Sequence, residues 1–355
     1  MGNEVSMGKK IASIAILVVG IILFCRALML DFAGSQSTSR GALLIFGVIL
    51  VIAGLYLLPT LKYHRAIINI IFLFPLLFAF LVTVIIPLIL GIGYSFTDWD
   101  GMRMNNVVGL ANYTKIFSQT DFIWSILITF LFVIFNMILV NLVAFLLALL
   151  CTSKLKGMGF FRAAYFLPNL IGGIVLGYIW KFVFSNVVTK ITMALISDNT
   201  SMLENFRTAF AAIIIVYVWQ YAGYIMLIYI TGLNTVPGDV IEAAAIDGAS
   251  PLQTLFNIKI PMIAPTITIC SFLTLTSAFK QFDVNLALTN GTPSADFAGE
   301  YITQGTSMLA LNIFQTAVVK NNYPLGQSKA VLFFIILAIV SIIQVRVTSS
   351  KEVEL

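Results

Sequence analysis

Eight stretches of the chain each hold about 20 predominantly apolar residues, the length an α-helix needs to cross a bilayer's hydrocarbon core. They lie near 11–30, 41–59, 67–90, 123–150, 163–184, 209–232, 263–282 and 330–347. No water reaches the hydrocarbon core, so every backbone amide there must be satisfied within its own segment, and helices are the solution for runs of this length. The predicted fold is therefore an all-α polytopic membrane protein of about eight transmembrane helices. Composition agrees: 60% of residues are hydrophobic and 10% charged, whereas soluble domains carry about 25% charged residues. The stretches 67–90 and 123–150 exceed the minimum and are expected to tilt or to project beyond the lipid.

Short-loop cations fix the orientation. Lys62 and Arg65 lie in loop 60–66, and Lys154, Lys156 and Arg162 in loop 151–162, with no acid in either. Together with Lys9 and Lys10 they belong in the cytoplasm, which places both termini inside and the loops 31–40, 91–122, 185–208 and 283–329 outside. The outward loops mix signs, with Asp98, Asp100, Asp121, Asp198, Glu204, Asp296 and Glu300 among them. Lys9 and Lys10 ahead of 11–25 have the outline of a secretory signal, but Arg26 and the Asp31-Phe32-Ala33 run make a poor cleavage site, so an uncleaved first span is expected.

Several chemistries are missing. The single histidine, His64, sits in a basic loop, which excludes histidine proton relays and histidine zinc motifs. Cys25, Cys151 and Cys270 are odd in number and far apart, arguing against a disulfide framework or metal site. The nearest approach to a nucleotide-binding loop, Gly2 to Lys10, has one residue too many and ends in Lys, so the chain is not expected to hydrolyse ATP or to hold a cofactor. Ionisable residues well inside spans are few: Arg26 in the first, and Lys280 with Asp283 at the outer end of the seventh. Without acids deep in the membrane, energy from a proton or sodium gradient is disfavoured.

Residues 237–261, PGDVIEAAAIDGASPLQTLFNIKIP, form a helix-patterned insert between two spans on the cytoplasmic side. Asp239 three before Glu242 predicts an Asp-led capping box, and Ala243, Ala244 and Ala245 propagate the helix at low entropic cost. Gly248 interrupts it; Ser250 and Gln253 predict a second capping box with Pro251 at the first helical position. A second short helix with Leu252, Leu255, Phe256 and Lys259 should run until Pro261. The pair is too short to span and too apolar for water. Its acids, Asp239, Glu242 and Asp247, against Lys259 alone, disfavour the alternative of lying on an anionic leaflet. A groove in a partner protein fits better, with Gly248 leaving room for another backbone.

The series Glu242-Ala243-Ala244, Gly248, then Ile258-x-Ile260-Pro261 resembles the EAA loop of ABC importer permeases, departing only in Ile260 where the family has Leu. YSFTDWDG (94–101), VGLANYTKIF (108–117), FFRAAYFLPNLIGGIVLGYIWKFVFS (160–185) and FKQFDVNLALTNGTP (279–293) are similar to segments of the sugar permeases of the binding-protein-dependent type. The resemblance covers about 67–347 and implies a six-helix permease core, 61–355, with its coupling loop at 233–262, preceded by a two-helix extension, 1–60. Two extra N-terminal spans resemble the larger maltose-permease-type subunit, whose large external domain is absent from loop 91–122. It further implies these partners: a homologous second permease, two ATPase subunits that bind MgATP, an extracellular solute-binding protein and a sugar, in the prokaryotic cell membrane without nucleic acid. In the coupling loop, Glu242, Ala243, Ala244, Asp247, Gly248, Ile258 and Pro261 would meet the ATPase.

Alignment with the family's sugar contacts lands on Asn169, Gly173, Tyr217, Gln220, Tyr221, Tyr224 and Gln281. Independently, 217, 220, 221 and 224 share one helical face, and aromatic rings with amide groups suit the apolar faces and hydroxyls of sugars. The competing reading of this stripe is packing against the second permease. Asn169 beside Pro168 could instead satisfy backbone freed by a kink, and Trp180 and Trp219 suit interfacial anchoring. Two other functions compete. A permease for a non-sugar solute is one, although no cation is expected on the stripe to meet an anionic substrate. An intramembrane enzyme on lipid-linked sugars would need clustered acids or histidines near the membrane face, and the tight acidic pair Asp98 with Asp100 has no histidine nearby.

Overall fold

The computed structural model describes residues 7–32, 39–57, 64–104, 106–153, 156–196 and 199–349. Ala33, Lys62, Lys154 and Asp198 lie outside these residues. Two compact units divide the chain, Met1–Leu90 and Gly91–Leu355.

In the first unit, α1 (Met7–Phe32) and α2 (Ser39–Leu57) pack along a seam of small residues. A Cβ at Gly47 would stand 2.7 Å from the Phe24 amide nitrogen and one at Gly54 2.7 Å from Leu17 Cβ. The pairing runs antiparallel, because the later glycine meets the earlier residue, and glycine lets the backbones touch as small residues do in lipid. Next, α3 (His64–Phe80) contains Pro75, and a π-helical turn, Leu81–Ile85, leads into α4 (Ile86–Ser95).

The second unit opens with an outer loop pinned by two carboxylates. Asp98 accepts from the Asn106 amide at 2.8 Å, and Asp100 accepts from the Met102 and Arg103 amides at 2.9 and 2.7 Å. The Arg103 and Met102 bonds favour the ionised form and hold the Asp100 carboxyl below its ordinary range. The acidic pair is thus a turn-former. After α5 (Ala111–Phe117) comes α6 (Thr120–Cys151), then α7 (Met158–Leu170). Arg162 of α7 donates to the Cys151 carbonyl at 2.6 Å, placing a cation at the negative end of α6.

Here the structure departs from the sequence expectation. A single span over 163–184 does not form; Ile171 and Gly172 are extended, and the spanning stretch runs Gly173–Leu195 instead. Pro168 cannot donate into the helix and the Gly172-Gly173 pair weakens it further, so the chain breaks there. The span comprises α8 (Gly173–Phe182), a π-helical stretch Val183–Val188 and α9 (Thr189–Ile196).

The centre of this unit is α10 (Phe206–Asn234), started by the Asn205 side chain accepting from the Arg207 amide. Over half of its apolar window, 56%, is buried, against at most 28% for any other candidate span, which makes α10 the innermost span among the described residues. Two short helices, α11 (Gly238–Ile246) and α12 (Pro251–Thr254), a π-helical turn Leu255–Lys259 and α13 (Ile260–Met262) lead to α14 (Ala264–Phe279). Pro261 does not end the helix as predicted; the break falls at Ile263, where the path bends by 72° ahead of Pro265. With that bent pair counted as one span, the described residues hold up to eight apolar spans, and otherwise seven.

Polar bonds across α6, α10 and α14 fasten the core. Tyr229 donates to Asn141 Oδ1 at 2.9 Å, and the Tyr217 and Ser277 hydroxyls bond at 2.8 Å. The Phe132 ring meets Tyr217 edge-on at 5.1 Å.

The segment 283–329, read from sequence as an outer loop, is an ordered cap. It contains α15 (Asp283–Leu288), the hairpin β1 (Ala295–Phe297) and β2 (Glu300–Ile302), and α16 (Leu309–Phe314) before α17 (Tyr323–Ser349). Asn285 ties it together, donating to the Thr306 carbonyl at 2.9 Å and accepting from the Met308 amide at 3.1 Å. Lys329 of α17 is buried beneath the cap, donating to Asn312 Oδ1 at 2.8 Å and Thr316 Oγ1 at 3.0 Å, with its ammonium 5.1 Å from the Phe122 ring centre.

Candidate functional site: a polar cavity and a cytoplasmic helix pair

The break between α7 and α8 has a consequence on α10. Extended Ile171 leaves its carbonyl outside the helical ladder, and Gln220 Nε2 reaches it at 3.4 Å. Gln220 is 6% exposed, so it closes the inner wall of a cavity that opens between α8, α10 and the α14–α15 turn. The cavity has a volume of about 360 Å³, within the range of small-molecule sites.

Gly173, Gln220, Tyr221, Tyr224 and Gln281 all line this cavity. Their convergence follows from the helix period on α10, since 220, 221 and 224 fall on one face, and from α15 crossing α8. Gly173 permits that crossing: a Cβ there would stand 2.6 Å from Asp283 Cβ. Gln281 is 5% exposed and its Nε2 has no hydrogen-bond partner among the described residues. A buried amide donor left without an acceptor costs free energy until a ligand supplies one.

Two residues of the sequence-based set fall outside the lining. Tyr217 shares the face but is fully buried under Ser277 and Phe132; its ring stacks on Tyr221 at 4.3 Å and so buttresses the cavity from behind. Asn169 ends up on α7, on the far side of the break at 171–172. Trp180 and Trp219 pack edge-to-face on one another at 5.4 Å.

Sequence reasoning missed Ser277, Lys280 and Asp283, which also line the cavity. The expectation that no cation faces it is corrected by Lys280. The signal was present, because Lys280 and Asp283 flank Gln281; the α14–α15 turn that aims them at the Tyr221–Tyr224 face was not visible in the period of a single helix.

On α11 the predicted Asp-led capping box is replaced by a start at Pro237, which supplies no side-chain cap. Proline fixes the backbone angle there, and Asp239 falls inside the first turn, where it complements the helix dipole instead. The exit is as specified: Gly248 has φ +76°, and the Ala249 and Gly248 amides return to the Ala244 and Ala245 carbonyls, a Schellman motif that needs the left-handed conformation. The second capping box also forms, with the Ser250 amide donating to Gln253 Oε1 at 2.7 Å. Glu242, Ala243, Asp247, Gly248 and Pro261 are exposed, Ile258 is half-buried and Ala244 packs inward. Ile246, Leu252 and Phe256 are 86%, 67% and 62% exposed, apolar side chains left uncovered among the described residues.

Comparison with known proteins places this geometry. Residues 154–351, over half the chain, match the family described as binding-protein-dependent transport system inner membrane component. The chain is 41% identical over 285 residues to the probable starch degradation products transport system permease protein AmyD of Thermoanaerobacterium thermosulfurigenes, covering 80% of this chain and 94% of the relative. It is 31% identical to the multiple sugar-binding transport system permease protein MsmF of Streptococcus mutans, over 75% of this chain and 90% of that one. Among solved structures, a bacterial ABC transporter involved in the import of the acidic polysaccharide alginate shares the fold, with TM-score 0.69 and 16% identity, over 81% of this chain and 97% of the other. The chain is thus a multi-pass transport component and not an enzyme, and it belongs to the binding-protein-dependent inner membrane components, the permease subunits of ABC transport systems.

Proposed function

We propose that this permease carries saccharides, and oligosaccharides of the kind released from starch in particular, into a prokaryotic cell. The observation that carries the reading is the cavity: Tyr221 and Tyr224 offer aromatic surface, and the buried Gln281 Nε2 waits for an acceptor such as a sugar hydroxyl or ring oxygen. Relatives named for starch degradation products, for multiple sugars and, in Thermococcus litoralis at 28% identity, for trehalose and maltose point the same way.

In this reading both termini are cytoplasmic, and a homologous second permease completes the pathway. An external binding protein delivers the sugar, and MgATP is bound by two ATPase subunits. The exposed Ile246, Leu252 and Phe256 would fill a groove on one ATPase, with Glu242, Ala243, Asp247 and Gly248 at the contact. Closure of the ATPases would then push α11 and α12, and the bend at Ile263 would pass the movement to α14 and its cavity wall.

The test is uptake of labelled maltotriose by proteoliposomes holding the assembled complex, with ATP inside and binding protein outside. Uptake that requires both supports the proposal. Uptake of an amino acid or ion with no saccharide transported would overturn it.

A further inference from the structure

The candidate cavity carries one charge of each sign, and neither forms an ion pair among the described residues. Lys280 caps the C-terminus of α14 and Asp283 opens α15, so the two flank Gln281 on a single turn of the cavity wall. Both side chains are exposed to the cavity, and neither has an ion pair or side-chain hydrogen bond among the described residues. Asp283 nevertheless sits in a prepared place. Its carboxylate lies over Gly173, the first residue of α8, with Oδ2 3.1 Å from where a Cβ would stand. Partial positive charge at that helix start favours a carboxylate.

A cation and an anion held apart across a buried unpaired amide make a wall with no net charge, offering donors at Lys280 and Gln281 and an acceptor at Asp283. Sugar hydroxyls both donate and accept, so such a wall matches a neutral saccharide, whereas an added carboxylate or ammonium gives up hydration and meets a like charge along with the opposite one, so that a wall of no net charge does not offset the loss.

We propose that Lys280 and Asp283 are specificity-determining residues, a balanced charge pair that makes the cavity select neutral saccharides over acidic and amino sugars, with Asp283 accepting sugar hydroxyls. This rests on the transport reading above. Gly173 then acts as a positioning residue, by leaving space for Asp283.

The binding protein filters sugars before they arrive, so the test omits it. Saturation-transfer difference NMR on the purified permease–ATPase complex would compare maltotriose, a galacturonic acid dimer and a glucosamine dimer. Wild type should favour maltotriose. Asp283→Asn should shift the ratio toward the acidic dimer and Lys280→Gln toward the amino dimer, each by about fivefold, the scale of one solvent-screened charge contact. The double variant should return to preferring maltotriose, with weaker binding. Co-purification of the partner subunits checks folding. Unchanged ratios in both single variants, or parallel loss of all three sugars in variants that still assemble, would overturn the charge pair while a wild type that transports maltotriose leaves the transport reading standing. A wild type that neither binds nor transports any of the three overturns both.

Discussion

Gly177→Ala should loosen the seam that positions the cavity wall without touching the cavity lining. Gly177 is one helical turn from Gly173 on α8, and a Cβ there would stand 2.6 Å from Ala287 Cβ and 3.3 Å from the Leu288 amide nitrogen. Non-bonded carbons settle at about 3.5–4.0 Å, so α8 and α15 must part by about 1 Å. Overpacking of this kind costs about 1–3 kcal/mol, and alanine's better helix propensity returns at most about 1 kcal/mol. A net loss of up to about 2 kcal/mol is expected. Moving α15 also moves Asp283, at its first residue, away from the Tyr221–Tyr224 face. The assay is thermal unfolding of the purified complex beside initial uptake rate, with Gly93→Ala as control, since a Cβ at Gly93 meets nothing within 4 Å. The expected result is a lower Tm and slowed uptake for Gly177→Ala alone. Wild-type Tm and uptake would refute the claim that this seam sets the wall.

Three further outcomes follow from other parts of the chain. Lys329→Met removes the donor to Asn312 Oδ1 beneath the outer cap, and a buried acceptor left unmet should lower stability by about 1–3 kcal/mol, seen as a lower Tm. Gly248→Leu strains the φ +76° turn and adds bulk, whereas Gly248→Asn tolerates that backbone; both should lose sugar-stimulated ATP hydrolysis, and full coupling in the Asn variant would refute a close approach by the ATPase. With Cys25, Cys151 and Cys270 replaced, Asp296→Cys should react with an impermeant maleimide in intact cells and Leu252→Cys only after permeabilisation; the reverse pattern would invert the topology.

Most spans, the second cap and the Gly248 turn were legible because their causes are local, whereas the Asp239–Glu242 box lost to a helix start at Pro237. The length of an apolar run, the Ser250-Pro251-x-Gln253 cap and the left-handed requirement at Gly248 are each decided within a few residues. The α10 face was legible too, because helical period alone aligns Gln220, Tyr221 and Tyr224. What escaped was set at long range or by competing signals. The break at Ile171 lost to apolar composition, although Pro168 and Gly172-Gly173 announced it. Burial of Tyr217 depends on Ser277, 60 residues away, and the outer cap on the Leu309 amide donating to Thr129 Oγ1 across 180. Periodicity carries no information at those separations. Lys280 and Asp283 reach the cavity only because α14 ends and α15 turns back beside α8.

The most direct test is Tyr224→Ala, assayed for uptake and ATP hydrolysis on one preparation of the assembled complex. Loss of ring stacking and of a buried polar contact is worth about 1–3 kcal/mol, a roughly five- to hundred-fold drop in affinity for sugar in the cavity. Uptake should therefore collapse while basal hydrolysis persists and the two permeases still co-purify. Normal uptake by the intact complex would mean that Tyr224 is no part of a sugar site, and loss of uptake together with loss of permease co-purification would mean that the α10 face is a subunit interface instead.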